Sequence, residues 1–80
     1  MVHSSISVTV KSENQALRIV EIAQVCWASA KLVRLGYLGG YFHETQAIIS
    51  VEAENEASHR SAWSRFVHEM ISQGYAENIY

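Results

Sequence analysis

Residues 12–36 carry the sequence SENQALRIVEIAQVCWASAKLVRLG, which predicts a single long helix. Ser12 followed by Gln15 is the pattern of an N-terminal capping box, and Gly36 is the residue type that commonly follows a helix C-terminus. Apolar residues occur almost all the way around this predicted helix, whereas a helix on the surface of a small protein is normally apolar along one stripe. The surplus of apolar side chains is therefore the main functional clue in the sequence.

On a helical wheel, most of these apolar residues form one stripe that is wide enough for a core. Its members are Ala16, Ile19, Val20, Ile22, Ala23, Cys26, Trp27, Ala30 and Val33. A second set falls on the other half of the helix, with Glu21 among its members, and comprises Leu17, Val25, Ala28, Leu32 and Leu35. Burying a Val or Leu side chain is worth roughly 1.5–3 kcal/mol, so several left in water favour a covering partner. Isolated exposed leucines that simply favour helix formation are the alternative interpretation.

Strand patterns flank the predicted helix on both sides. Residues 5–11, SISVTVK, alternate strictly between apolar and polar, which predicts a strand with one buried face. After Gly36, a short and bulged strand is expected to reach about residue 43, with a hairpin turn at 43–45. Residues 46–54, QAIISVEAE, then predict a strand that buries Ala47, Ile49, Val51 and Ala53 on one side.

A second helix is predicted over residues 56–73, with Asn55 as its N-cap and Gly74 after its C-terminus. Its apolar stripe contains His59, Ala62, Trp63, Phe66, Val67 and Met70. Residues 75–80 are short enough to be an edge strand or a loose tail. The order of elements predicts one α+β domain over residues 1–80, a ferredoxin-like βαββαβ fold with a four-stranded antiparallel sheet and both helices on one face. The last strand is the element that the sequence leaves open.

Composition narrows the classes of function. The chain has 80 residues, 49% of them hydrophobic and 18% charged, which is typical of a globular protein. Six Lys and Arg against eight Asp and Glu do not favour binding to nucleic acid, which depends largely on cationic side chains. With Cys26 as the sole cysteine, no internal disulfide can form, and no leader or membrane-spanning pattern is present, so we expect a cytoplasmic protein.

The residues that usually carry chemistry show no recognised arrangement. His3, His43, His59 and His68 have no metal-ligand spacing with each other or with Cys26. Cys26 is expected to act as a small hydrophobic residue, and the glycines after residue 35 do not form a phosphate-binding loop. The sequence therefore predicts no catalytic residue, no metal site and no cofactor.

Other proteins of similar outline can be compared through their motifs. RNA-recognition domains carry stacked aromatics on a central strand, where this chain reads TQAIISVEAE. The paired-cysteine loop of metallochaperones and the arginine-bearing loop of acylphosphatases are also missing after the first strand, where the chain reads Lys11, Ser12 and Glu13. ACT-like sensor domains have no strict motif, so a resemblance to them in outline remains.

We therefore expect a non-enzymatic module that docks onto a protein partner or a second copy of itself. The expected contact residues are Leu17, Glu21, Val25, Leu32, Leu35, Tyr37 and Tyr41. In size and mild acidity the chain resembles phage and mobile-element inhibitors of host defence, including anti-CRISPR proteins. Two alternatives stay open: a homo-oligomeric ACT-like domain that senses a small ligand, and an enzyme of the dimeric α+β barrel kind.

Overall fold

The computed structural model describes residues 1–37 and 45–79. Along the chain it contains β1 (Val2–Val10), α1 (Glu13–Cys26), β2 (Lys31–Tyr37), β3 (Thr45–Ala53), α2 (Glu56–Ser72) and a C-terminal 3-10 helix (Ala76–Ile79). The three strands form one antiparallel sheet in the order β1-β3-β2. The expected α+β class with two helices is therefore confirmed, and the described part of the chain contains three strands.

The core lies between one face of this sheet and the two helices. From β1 it takes Ile6, Val8 and Val10, and from β3 it takes Ala47, Ile49 and Val51. These are the faces that the alternation of apolar and polar residues predicts for the two strands. Helix α1 contributes Ala16, Ile19, Val20, Ile22 and Ala23, while α2 contributes Phe66 and Met70. The opposite face of β1 carries the exposed residues His3, Ser5 and Ser7.

The prediction of one helix from residue 12 to residue 36 is wrong in its second half, because α1 ends at Cys26. Trp27 already has an extended backbone, with φ −129° and ψ 114°, and its N–H donates to the Ala23 carbonyl oxygen at 2.7 Å. The Trp27 side chain is 2% exposed and packs 5.6 Å from the ring of Phe66. Burying so large an aromatic ring outweighs the small helix propensities of the residues that follow it.

A β-bulge explains how residues spaced like a helix fit into β2. Leu32 pairs with Ile49 and Leu35 pairs with Ala47, so both leucines lie over the core face of the sheet. In a regular strand, residues three apart would point to opposite faces. The register shift between Leu32 and Arg34 restores the same face for both leucines and leaves Val33, the residue between them, 52% exposed.

Helix α2 agrees with its sequence signals at both ends. The Asn55 side-chain oxygen, Oδ1, accepts a hydrogen bond from the Ser58 backbone N–H at 2.8 Å. Gly74 has φ +84°, the left-handed conformation that favours glycine after a helix. Cys26 lies beside Ala57 in one cleft, while Arg18 lies beside Gln73 in another, so the two helices run antiparallel.

The segment after α2 forms a 3-10 helix over Ala76–Ile79 instead of an edge strand. Asn78 is buried, and its side-chain Nδ2 donates to the Thr9 carbonyl oxygen at 2.6 Å and to Gln15 Oε1 at 3.0 Å. The same Gln15 oxygen accepts from the Lys11 backbone N–H at 2.7 Å. A side chain thus replaces the backbone pairing that a fourth strand would give at this end of β1.

Part of the predicted hairpin lies outside the described residues. Thr45 begins β3, one residue earlier than expected, and β2 is described as far as Tyr37. The predicted continuation of β2 to residue 43 and the turn residues His43 and Glu44 fall in the segment that the structure does not describe. In the described ranges, no helix has the length and apolar character needed to cross a membrane.

Candidate functional site

The expected contact residues of α1 lie together on its outer surface. Leu17, Glu21 and Val25 are spaced four residues apart, so they share one face of the helix, which we name the α1 stripe. Leu17 is 46% exposed and Val25 is 58% exposed. Glu21 Oε2 pairs with Arg18 Nη1 at 3.3 Å on the surface. The stripe therefore combines two apolar side chains with a charged pair.

A shallow cleft runs along one side of the α1 stripe. It has a volume of about 200 Å³ and is lined by Arg18, Glu21, Ile22, Val25 and Gln73. Its floor includes Ile22, a core residue of α1, and its polar lining comes from Arg18 and Glu21 of α1 and from Gln73, the residue after α2. An apolar floor with a polar rim is the general composition of protein–protein contacts.

Leu32 and Leu35 do not join this stripe. Both are partly buried and pack against the core from β2, so the core itself accounts for their apolar character. Tyr37 is the last residue of β2, and its partner in the sheet is Thr45. Tyr41 lies outside the described residues. The structure thus brings together three of the seven expected contact residues on one helix face.

An aromatic cluster fills the space between the end of α1 and the middle of α2. The Trp27 ring centroid lies 5.8 Å from that of His59, 6.0 Å from that of Trp63 and 5.6 Å from that of Phe66. Trp63 stacks on Phe66 with an interplanar angle of 15°. Trp27 Nε1 and His59 Nδ1 are both buried and have no hydrogen-bond partner within residues 1–37 and 45–79. His59 therefore packs beside the Trp27 ring.

Another cleft lies where the end of α1 meets the start of α2. It has a volume of about 450 Å³ and is lined by Cys26, Ala57, Ser58, Ser61, Ala62 and Arg65. Burial raises the pKa of the Cys26 thiol; Arg65 acts in the lowering direction and Glu69 in the raising direction. A raised pKa reduces the thiolate fraction, which is the reactive form of cysteine. The partial burial of Cys26 and the raised pKa of its thiol are compatible with the small hydrophobic role expected from the sequence, which stays a prediction.

The described residues bring no three His, Cys, Asp or Glu side chains together in an arrangement that could hold a metal ion. His3 lies on the open face of the sheet, where its Nδ1 is 3.2 Å from Glu52 Oε1 on the neighbouring strand. His68 is exposed on α2, and His43 lies outside the described residues. The histidines of the described ranges therefore occupy separate regions of the molecule.

The outer edge of β1 is a feature that the sequence analysis missed. Among the described strands, β1 has β3 as its one neighbour in the sheet, and the C-terminal 3-10 helix contacts it at Thr9. Trp63 and His59 of α2 line a recess of about 90 Å³ together with Ser4, Ser5 and Ile6 of this strand. The absence of charged residues between Ser4 and Val10 is the sequence signal that could have indicated an edge open to pairing.

Comparison of the chain with protein-family models, with curated proteins and with solved structures finds no match in any of the three.

Proposed function

We propose that this protein is a non-enzymatic interaction module that binds a protein partner through the α1 stripe. The observation that carries the proposal is the exposure of Leu17 and Val25 on one face of a helix whose other face is fully used by the core. Full burial of an exposed Leu or Val side chain is worth roughly 1.5–3 kcal/mol, and Leu17 and Val25 are about half exposed, so a partner that covers them gains roughly half of that value for each.

The charges around the stripe support a partner with mixed polar and apolar chemistry. Arg18 and Glu21 form an exposed ion pair next to the two apolar side chains. Such pairs contribute little to stability but set orientation and specificity when a partner replaces them with its own charges. The proposed partner therefore offers an apolar residue for the cleft beside Val25 and a charged or polar residue at its rim.

The described cleft beside Cys26 also supports a binding role over an enzymatic one. The cleft of about 450 Å³ presents serine hydroxyls and a thiol whose pKa is raised, and no described histidine or carboxylate lines it. Nucleophilic catalysis by Ser or Cys depends on an adjacent base or a lowered pKa. Binding by an exposed face needs neither.

We also propose that the fold is a ferredoxin-like arrangement in which the 3-10 helix stands where the fourth strand would begin. The sheet order β1-β3-β2 and the antiparallel helices agree with that topology. Among possible interaction modules, we propose an inhibitor of a host defence complex. The small size and the net charge of −2 support this choice, because phage and mobile-element inhibitors of this kind are also small and mildly acidic.

Site-specific photo-crosslinking tests the proposed function. The photoreactive residue p-benzoylphenylalanine replaces Glu21 in the α1 stripe or, as a control, the exposed Glu77 of the C-terminal 3-10 helix. We expect irradiation in the producing cell to give one discrete heavier adduct from position 21 and none from position 77. An adduct that contains a subunit of a defence complex supports the inhibitor role. Absence of any adduct at position 21, with binding of a metabolite detected by a thermal shift, would instead favour a ligand sensor.

A further inference from the structure

A second surface of the molecule, the outer edge of β1, has the chemistry of a strand that pairs. All nine residues of β1 pair with β3 on the inner side without a bulge. Thr9 directs its carbonyl oxygen away from β3, because that oxygen accepts from Asn78 Nδ2 of the C-terminal 3-10 helix. Backbone groups alternate in direction along a strand, so His3, Ser5 and Ser7 also point their N–H and C=O groups outward.

Those outward groups have no partner in residues 1–37 and 45–79. The hydrogen bonds from the C-terminal 3-10 helix reach β1 at Thr9 and not at His3, Ser5 or Ser7. Natural proteins commonly protect such edges with charges, prolines or bulges. Between Ser4 and Val10, β1 contains no charged residue and no proline. The other edge strand, β2, is protected by its bulge and by Lys31 and Arg34.

Helix α2 adds an aromatic side wall to the open edge. The Ser5 side chain lies on the open face of the sheet, whereas Trp63 lies on the helix side, so the recess that both residues line opens at the strand edge. Trp63 is 39% exposed and is held in place by stacking on Phe66 at 5.5 Å. A strand added to β1 would therefore gain backbone hydrogen bonds and cover part of this indole ring.

We propose that the edge of β1 pairs with the same edge of a second copy, antiparallel and centred on Ser5, to form a twofold-symmetric dimer. In this register Ser5 lies opposite Ser5 of the copy, and His3 lies opposite Ser7. Every outward backbone group from His3 to Ser7 then has a partner, which gives about six new hydrogen bonds. Across the twofold axis, residues 3–7 of the copy are one histidine, three serines and one isoleucine, so no two Asp, Glu, Lys or Arg side chains of like charge oppose each other.

The sheet as a whole explains why pairing would stop at two copies. Joining β1 to β1 of the copy makes one continuous sheet whose outermost strands, among those of residues 1–37 and 45–79, are the two β2 strands. Each β2 carries the bulge after Leu32 and the cations Lys31 and Arg34, which disfavour further strand addition. The contact uses the same edge on both copies, which is the property of a closed twofold dimer. This surface is separate from the α1 stripe, so the inference does not depend on the proposed function.

Light scattering over a dilution series to the millimolar range tests the dimer. Ser5→Pro removes an N–H that points away from β3, so it blocks the new pairing and leaves the β1–β3 ladder intact. Ser5→Lys places two like charges opposite each other at the axis, and Val33→Lys adds the same charge to the other edge strand as a control. We expect a concentration-dependent dimer whose Kd rises at least about 30-fold in both Ser5 variants and less than about twofold in the Val33 variant.

Amide hydrogen exchange on the unmodified protein provides the second measurement. In the dimer we expect slow exchange at His3, Ser5 and Ser7, and fast exchange at these residues after dilution, while Ile6 and Val8 remain protected by β3 in both states. A monomeric mass at every concentration would overturn the proposal. A dimer whose Kd is unchanged by both Ser5 variants would also overturn it, because the contact would then lie elsewhere.

Discussion

The Asn78 side-chain nitrogen Nδ2 lies 2.6 Å from the Thr9 carbonyl oxygen and joins the end of the chain to the end of β1. At this hydrogen bond the C-terminal 3-10 helix covers the outer edge of β1, whereas within the described residues the same edge is open from His3 to Ser7. The Asn78 side chain also ties the C-terminal 3-10 helix to the first turn of α1, because the same nitrogen donates to Gln15 Oε1 at 3.0 Å. Asn78 is therefore a structural residue of the fold.

We expect Asn78→Ala to lower the free energy of unfolding by about 2 kcal/mol, because it removes both hydrogen bonds at a buried position. The matched control is Glu77→Ala, whose side chain is exposed in the same 3-10 helix and should change stability by less than about 0.5 kcal/mol. Urea unfolding followed by circular dichroism measures both values. Equal effects of the two substitutions would show that the Asn78 contacts do not hold the C-terminal segment in place.

Because α1 ends at Cys26, two substitutions of an apolar residue by lysine should lower the free energy of unfolding by different amounts. Leu32→Lys places a charge against the core from β2 and should cost about 3 kcal/mol of unfolding free energy. Val25→Lys lies on an exposed position of α1 and should change that value by less than about 0.5 kcal/mol. If α1 continued to residue 36, both substitutions would lie on the outer side of the helix and would change the free energy of unfolding by similarly small amounts. Chemical denaturation of the two variants therefore distinguishes a helix that ends at Cys26 from one that continues to residue 36.

The two tryptophans should respond differently to acrylamide. Trp63→Phe leaves Trp27, which is 2% exposed, and its fluorescence should be blue-shifted and resist quenching. Trp27→Phe leaves Trp63, which is partly exposed, and its fluorescence should be quenched several times more strongly. Quenching titrations of the two single-tryptophan variants measure this difference. Equal quenching constants would contradict the aromatic cluster around Trp27.

The thiol of Cys26 should react slowly and should link stability to alkaline pH. Burial raises its pKa, so at pH 8 iodoacetamide should alkylate it more slowly than free cysteine. The folded state favours the protonated thiol, because the pKa of Cys26 is higher in the folded than in the unfolded chain. The thiol therefore contributes fully to stability below its unfolded pKa of about 8.5, and this contribution is lost as the pH rises through the raised pKa of the folded state.

Unfolding free energies from pH 7 to 10 check this linkage, and Cys26→Ala should remove the part of the alkaline decrease that belongs to the thiol. In alkylation assays, Glu69→Gln should increase the rate and Arg65→Gln should decrease it, because Glu69 raises the pKa and Arg65 lowers it. A decrease in rate for Glu69→Gln would contradict this electrostatic assignment.

The regular parts of the fold could be predicted from the sequence because they follow a clear period. The alternation in β1 and β3 and the cap Asn55 of α2 correspond to buried faces and a capped helix in the structure. The segment after Trp27 could not be predicted, because Leu32 and Leu35 are spaced as in a helix and only the bulge at Val33 reconciles them with a strand. No glycine or proline marks the end of α1, whose position depends on the packing of Trp27 against α2.

The candidate site could be predicted in part. Leu17 and Val25 are exposed on α1, so the apolar surplus of that helix is real but smaller than the sequence indicated. Leu32 and Leu35 owe their apolar character to the core. The open edge of β1 depends on Ala76–Ile79 folding as a 3-10 helix instead of a strand, and the six residues after Gly74 carry no period that could decide between the two.

The central claim is that a protein partner binds through the α1 stripe. Its most direct test is the yield of the crosslinked adduct at position 21 in variants that carry a new charge. Leu17→Lys and Val25→Lys place charges in the stripe, and Ile71→Lys makes the same kind of change at an exposed apolar residue of α2. We predict that each stripe variant lowers the adduct yield at least about 10-fold, which corresponds to about 1.4 kcal/mol of binding free energy, while Ile71→Lys leaves it within about twofold. An adduct yield that is unchanged in both stripe variants would contradict the account.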